Sequence, residues 1–184
     1  MAKLNKALKE WAAVVTALGK GTQFLLFRKG GISDEGGEFT VEERDFLLYP
    51  TFEHQKTQLL KPEFTPLVGK NPNPGFVQIS SWARVEKILL ADSAELPARF
   101  FGNHIWNQSY VDMRLNYKPE KPLYLLALRV FRLPEPVVFE ETASYVGCRS
   151  WVDLEEAIAT NGSLPVIDDA EFAEKLRQFS RVVE

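Results

Sequence analysis

Four prolines fence one apolar run. Residues 123–133 lie between Pro119 and Pro122 on one side and Pro134 and Pro136 on the other. Proline has no backbone N–H to give to a helix turn or a central ladder, so the fence limits how far the run can continue in one element. At that length, and bracketed in that way, the run reads as the best strand in the chain. A strand this apolar needs a sheet beside it, and the rest of the sequence supplies candidates.

Residues 24–27 form a short apolar run that reads as a buried strand ending at Arg28 and Lys29. Residues 46–49 read as a second, closed by Pro50. Between them, residues 30–44 are acidic and Gly-rich, which suggests an exposed excursion. Val77, Ile79, Ser81, Ala83 and Val85 alternate as a half-buried strand does, with Trp82 on the opposite face. Residues 137–139 read as a further edge strand. Residues 61–75 hold four prolines and two glycines and are expected to be an irregular loop.

Helices are expected towards the two ends. Leu4, Leu8, Trp11, Val15 and Leu18 recur at steps of four and three, the stripe of an amphipathic helix, which Gly19-Lys20-Gly21 stops. Ser150 and Asp153 have the spacing of a capping box, predicting a helix that Asn161-Gly162 closes. Asp168 and Glu171 open a last helix in the same way, with Phe172, Leu176, Phe179 and Val183 on one face. A short helix is expected after Asp92 or Ser93, with Pro97 in its first turn and Gly102 at its end. The pattern predicts an α+β fold: a largely antiparallel twisted sheet or small barrel in the middle, with helices from the N- and C-terminal segments. At 184 residues the chain is expected to be a single domain over 1–184.

Composition removes several classes. With 45% hydrophobic and 26% charged residues the chain is neither disordered nor collagen-like. No stretch of about 18 apolar residues occurs, so no membrane span is expected. The single cysteine, Cys148, excludes an intrachain disulfide and a multi-cysteine zinc site, and points to a reducing, cytoplasmic setting. The net charge of −3 conceals an uneven distribution: +5 over residues 1–30, −5 over 31–60, +4 over 61–133 and −7 over 134–184. The positive centre also carries Trp82, Trp106, Tyr110 and Tyr117. Cations interleaved with aromatic rings suit single-stranded or flipped nucleotides, and are equally the mixed surface of an ordinary domain.

Strong catalytic motifs are missing. Gly19-Lys20-Gly21-Thr22 lacks the spacer of a phosphate loop and precedes a strand. Gly37 and Glu43 start the spacing of a Nudix hydrolase, but Thr51 and Phe52 stand where its arginine and glutamate are needed. No metal site or cofactor is expected from spacing, since the two histidines, His54 and His104, lie fifty residues apart. Cys148 reads as a structural thiol.

Three dense polar segments remain. Arg28-Lys29-Gly30-Gly31-Ile32 ends a strand in two cations beside permissive glycines, suited to a phosphate or carboxylate, or to a solvated hairpin end. The segment 49–56 contains Glu53 and His54, a candidate acid–base pair that His104 could join, or else a capped turn with Thr51 as cap. Asn103-His104-Ile105-Trp106-Asn107 offers an amide and an imidazole to read a base edge and an indole to stack on it, or a core anchor. Arg114 follows, and Arg129 sits inside the strongest strand, where it needs a carboxylate partner or an open groove.

The strings Ala7-Leu8-Lys9-Glu10-Trp11-Ala12, Leu26-Phe27-Arg28-Lys29-Gly30-Gly31-Ile32, Phe46-Leu47-Leu48-Tyr49-Pro50-Thr51-Phe52-Glu53-His54-Gln55 and Gly147-Cys148-Arg149-Ser150-Trp151 together resemble the family called domain of unknown function 1802. The resemblance runs over nearly the whole chain. It implies no catalytic role. Relatives joined to a restriction-endonuclease-like domain imply a restriction-modification or defence context. This chain ends at Glu184 with no such domain, which favours an accessory or recognition role. The leading expectation is therefore a non-catalytic nucleic-acid-associated domain. In it Arg28, Lys29, Arg114 and Arg129 meet phosphates, Trp106 stacks, and His104 or Asn103 reads a base. The expected partners are DNA or RNA and a separate nuclease-like protein, with no membrane. A hydrolase or phosphoesterase using Glu53, His54 and His104 is the alternative, and a protein-interaction module using the acidic C-terminal segment or the 61–75 loop is the third.

Overall fold

The computed structural model describes residues 2–29, 44–91, 93–147 and 150–181. Its strands are β1 (Lys3–Trp11), β2 (Leu25–Arg28), β3 (Asp45–Thr51), β4 (Phe76–Ala91), β5 (Leu123–Glu140), β6 (Trp151–Ala159) and β7 (Leu164–Pro165). Its α-helices are α1 (Ala12–Gly19), α2 (Glu95–Arg99), α3 (Gln108–Asn116) and α4 (Asp169–Ser180). The strands form one open, mostly antiparallel sheet in the order β2-β5-β4-β3-β1-β6, with β7 on β5. Among the described residues β1 and β3 are the parallel pair. The expected α+β class with a largely antiparallel sheet holds. The excursion expected over residues 30–44 and the thiol of Cys148 lie almost wholly outside the described residues.

The proline-fenced run is the spine of this sheet, but it is longer than its fence. β5 passes through Pro134 and Pro136 to Glu140, and it takes in the edge strand expected at 137–139. The register explains how: Ser81 faces Arg132 while Ile79 faces Val137, so β5 carries extra residues at this point. The prolines sit in that bulge, where no ladder hydrogen bond is required of them.

One expected helix is a strand, and so is the first half of another. Residues 3–11 form β1, which pairs with β3 on one side and β6 on the other. The helical spacing of Leu4, Leu8 and Trp11 is outweighed by that double pairing, which buries Ala7 and Leu8 in the middle of the sheet. The α1 helix begins at Ala12. Residues 151–159 form β6, whose Val152 and Leu154 are buried while Asp153 and Glu155 are exposed, a period of two. Asp153 pairs with Lys6 at 2.8 Å instead of capping a helix, and Asn161-Gly162, with Gly162 at φ 78°, makes a strand-to-strand turn. The predicted last helix is present. Asp168 Oδ1 accepts from the N–H groups of Ala170 and Glu171 at 3.0 and 2.9 Å, and Phe172 and Phe179 are buried.

The core has two parts. The larger lies between α1, β2, α3, α4 and the inner halves of β4 and β5, and includes Phe24, Leu126 and Trp106. The smaller is wrapped by β1, β3, β6 and the outer halves of β4 and β5, around Tyr49, Ile79 and Leu154. The sheet curls enough that Glu10, at the end of β1, approaches Arg28, at the end of β2, to 3.6 Å. No helix among the described residues is long and apolar enough to cross a membrane.

Asp168→Ala removes both capping bonds of α4 and is expected to cost about 1 kcal/mol of stability, read as a lower urea midpoint at unchanged slope.

Candidate nucleic-acid interface

A cleft of about 570 Å³ opens between α1, the 67–73 loop and the start of β4, with the bulged stretch of β5 as its far wall. Three cations line it, Lys20, Lys70 and Arg132, and among the described residues no Asp, Glu, His or Cys does. Asn71, Asn73, Gln78 and Ser80 supply amides and a hydroxyl, and Phe52 and Phe76 supply rings. Phe76 is 43% exposed, so part of its ring is accessible from the cleft.

Local chemistry sets these groups. The chain leaves α1 with the N–H groups of Lys20 and Gly21 donating to Thr16 and Leu18 carbonyls. Gly21 has φ 76°, and a Cβ there would meet Ile167 at 3.0 Å, so glycine is required and Lys20 is held at the rim. Arg132 donates to the Gly19 carbonyl at 3.0 Å, which fixes its guanidinium against the negative end of α1. Gln55 joins two walls: its Oε1 accepts from the Ala13 N–H at 3.0 Å and its Nε2 donates to the Gly69 carbonyl at 3.1 Å. Asn71 staples the loop, donating to the Phe76 carbonyl and accepting from the Asn73 N–H, each at 3.0 Å. The result offers charge neutralisation, amide hydrogen bonding and a free ring face in one place.

The residues singled out from the sequence lie elsewhere. Arg28, Lys29 and Arg114 do converge, where β2 ends against α3. Arg28 is only 8% exposed and faces Glu10. Burial lowers its pKa, Glu10 opposes that shift, and neighbouring Arg114 adds to it. Lys29 donates to the Leu115 carbonyl. Arg129 finds the carboxylate it needed: it pairs with Asp169, donates to the Asp168 carbonyl at 3.3 Å, and lies 4.5 Å over the Phe172 ring. It fastens α4 to the sheet and, at 6% exposure, has no face for a phosphate.

The 103–107 segment is a clasp. Trp106 is 1% exposed, stacked on Tyr110 at 3.7 Å and met edge-on by Trp11 at 5.0 Å, so its ring faces are taken and no base can stack there. Asn107 caps α3 and donates to the Gln58 and Leu60 carbonyls. Asn103 is half-buried, with its carbonyl on the Phe24 N–H. His104 is 1% exposed, enclosed by Phe27 and Phe101, with neither ring nitrogen in a hydrogen bond. It cannot read a base edge. Nor can it join His54, which is exposed with Glu53 in the turn after β3, at φ 59°. The convergence required for an acid–base or metal site of Glu53, His54 and His104 is absent, and no group of three or more His, Cys, Asp or Glu able to hold a metal occurs among the described residues.

Burial, reinforced by the nearby Lys61 ammonium, pushes the His104 pKa down to about 4 from 6.5. Weak interactions with the Pro97 and Trp106 backbone oppose the shift without reaching hydrogen-bond geometry. Between those two values the unfolded chain binds a proton that the folded chain refuses. Stability is therefore full above about pH 6.5 and falls as pH drops towards 4, by on the order of 3 kcal/mol for this group. His104→Leu is expected to flatten the urea midpoint between pH 7 and pH 5, a change that leaves the other titrating groups in place.

Sequence reasoning missed Lys20, Lys70 and Phe76. The one signal was the loop at 61–75, whose prolines and asparagines mark a fixed rather than a floppy connection.

The fold defines the class. The fold is shared with ASCH from Zymomonas mobilis, at a TM-score of 0.51 and 13% identity, over 94% of this chain and 92% of that chain. A point mutant of the same ASCH protein aligns at a TM-score of 0.48 and 11% identity, over 94% and 95% of the two chains. The chain is thus an ASCH-like α+β domain. It belongs to the family described as Domain of unknown function (DUF1802), whose model matches residues 7–178. No functionally curated protein matches it.

Proposed function

We propose that the chain is a nucleic-acid-binding domain that holds a single-stranded segment of RNA or DNA in the cleft. The observation that carries this reading is a cleft that gathers three cations and, among the described residues, no carboxylate, in a protein of net charge −3. Lys20, Lys70 and Arg132 neutralise phosphates, Phe76 stacks on a base, and Asn71 and Asn73 give direction to its polar edge. A volume of about 570 Å³ matches a nucleotide or two and not a duplex. The fold shared with the Zymomonas mobilis ASCH protein fits a nucleic-acid-associated domain. The restriction-modification context and a nuclease partner rest on the family resemblance alone and form no part of the proposal.

Titration of labelled single-stranded RNA and DNA over a salt series tests it. Three phosphate contacts predict a log–log slope of about −2, and each of Lys20→Ala and Lys70→Ala is expected to reduce it by about 0.7. Phe76→Ala is expected to weaken binding by about fivefold or more at every salt concentration, the loss of one stacked base. The reading fails if no strand binds at low salt, or if the lysine substitutions leave affinity and slope unchanged.

A further inference from the structure

The sheet leaves a second opening, on the other side of β5 from the cleft. Five strands wrap the smaller core in the order β5-β4-β3-β1-β6, and the wrap does not close. β6 ends the sheet on one side. On the other, residues 137–140 of β5 pair with β4 only, because β7 takes Phe131 and Arg132 and goes no further. A groove of about 500 Å³ runs between these two edges.

The groove has an apolar floor and an acidic rim. Val137 and Val138 are 37% and 52% exposed, and Phe139, Tyr145, Leu154 and Ile158 lie below them. Glu140, Glu155 and Glu156 line it, and among the described residues no Lys or Arg does. The β6 backbone is also out of register with β1 between Asp153 and Ile158, so that stretch has no continuous ladder partner. Two open strand edges over apolar side chains are a template for an added strand.

Charge selects the occupant. A second copy of this chain would set the same three carboxylates against their own images, which is repulsive. An acidic or neutral segment would leave them uncompensated. We infer that this groove docks an extended segment of a partner protein in which apolar residues alternate with lysine or arginine, added as a strand between β5 and β6. The apolar side chains face the smaller core and the cations meet Glu140, Glu155 and Glu156. The inference is independent of the cleft, and it assigns the acidic C-terminal part of the chain a role that nucleic acid would not fill.

Selection of displayed random peptides on the full chain tests it, with the Glu155→Lys/Glu156→Lys variant as counter-target. Recovered peptides are expected to alternate cations with apolar residues and to bind the double variant at least about tenfold more weakly. They should also slow amide exchange at residues 137–140 and 154–159. Both glutamates are exposed, and matched thermal melts separate lost binding from lost folding. If the reversal impairs folding, Glu155→Gln with Glu140→Gln gives the same comparison at near-constant shape, with severalfold weakening expected. Acidic or charge-free winners, equal binding to the variants, no enrichment, or protection at the cleft would each overturn the inference. So would self-association that protects the same strands without peptide.

Discussion

The pairing of β4 with β5 is the constraint on which the rest depends. It runs from Phe76 opposite Glu140 to Ala91 opposite Leu123, and both cores lie along it. One ladder with two register shifts joins the strands over that length, and each end of the ribbon serves a different core. The inner half carries Leu125, Leu126 and Leu128 into the larger core, against α1 and α4. The outer half, beyond the bulge at Pro134 and Pro136, walls the cleft on one side and the groove on the other, with Val138 bordering both.

That single strand half separates opposite electrostatics. Among the described residues the cleft is lined by cations without carboxylates, and the groove by carboxylates without cations. Charges exposed on the two sides are screened from each other within about 8 Å at physiological salt, so each site keeps its own sign. Three cations that serve neither site are buried and held by structure. Arg28 faces Glu10, Arg129 holds Asp169, and Lys61 donates to the carbonyls of Phe101 and His104. A buried guanidinium left without its carboxylate would be strongly destabilising, which is why these residues read as anchors.

Legibility followed the range of the interactions. The strands at β2 and β3, the long β5 run and the capped α4 helix announce themselves through patterns within a few residues. β1 and β6 do not, because their helical spacing and capping-box letters are local coincidences, and what decides them is a neighbour about 150 residues away. The candidate site failed for a related reason. Aromatic and polar letters clustered at 103–107 are as good for a core clasp as for a binding edge, and only the Tyr110 ring stacked on Trp106 distinguishes the two. The cleft draws Lys20, Lys70 and Arg132 from three separate segments, so no local motif contains it.

From sequence alone come the α+β class, the largely antiparallel sheet, the family, and the separation of a basic centre from an acidic C-terminal part. The family rests on the resemblance of four strings, and the others rest on composition, on proline placement and on short-range periodicity, which act before any long-range contact forms. The tertiary structure decided which charges stay in water. Burial turned Arg28, His104, Trp106 and Arg129 into framework, and the bulge in β5 brought three distant cations around one cleft. Burial depends on where the whole chain packs, and that is written in no single stretch of it.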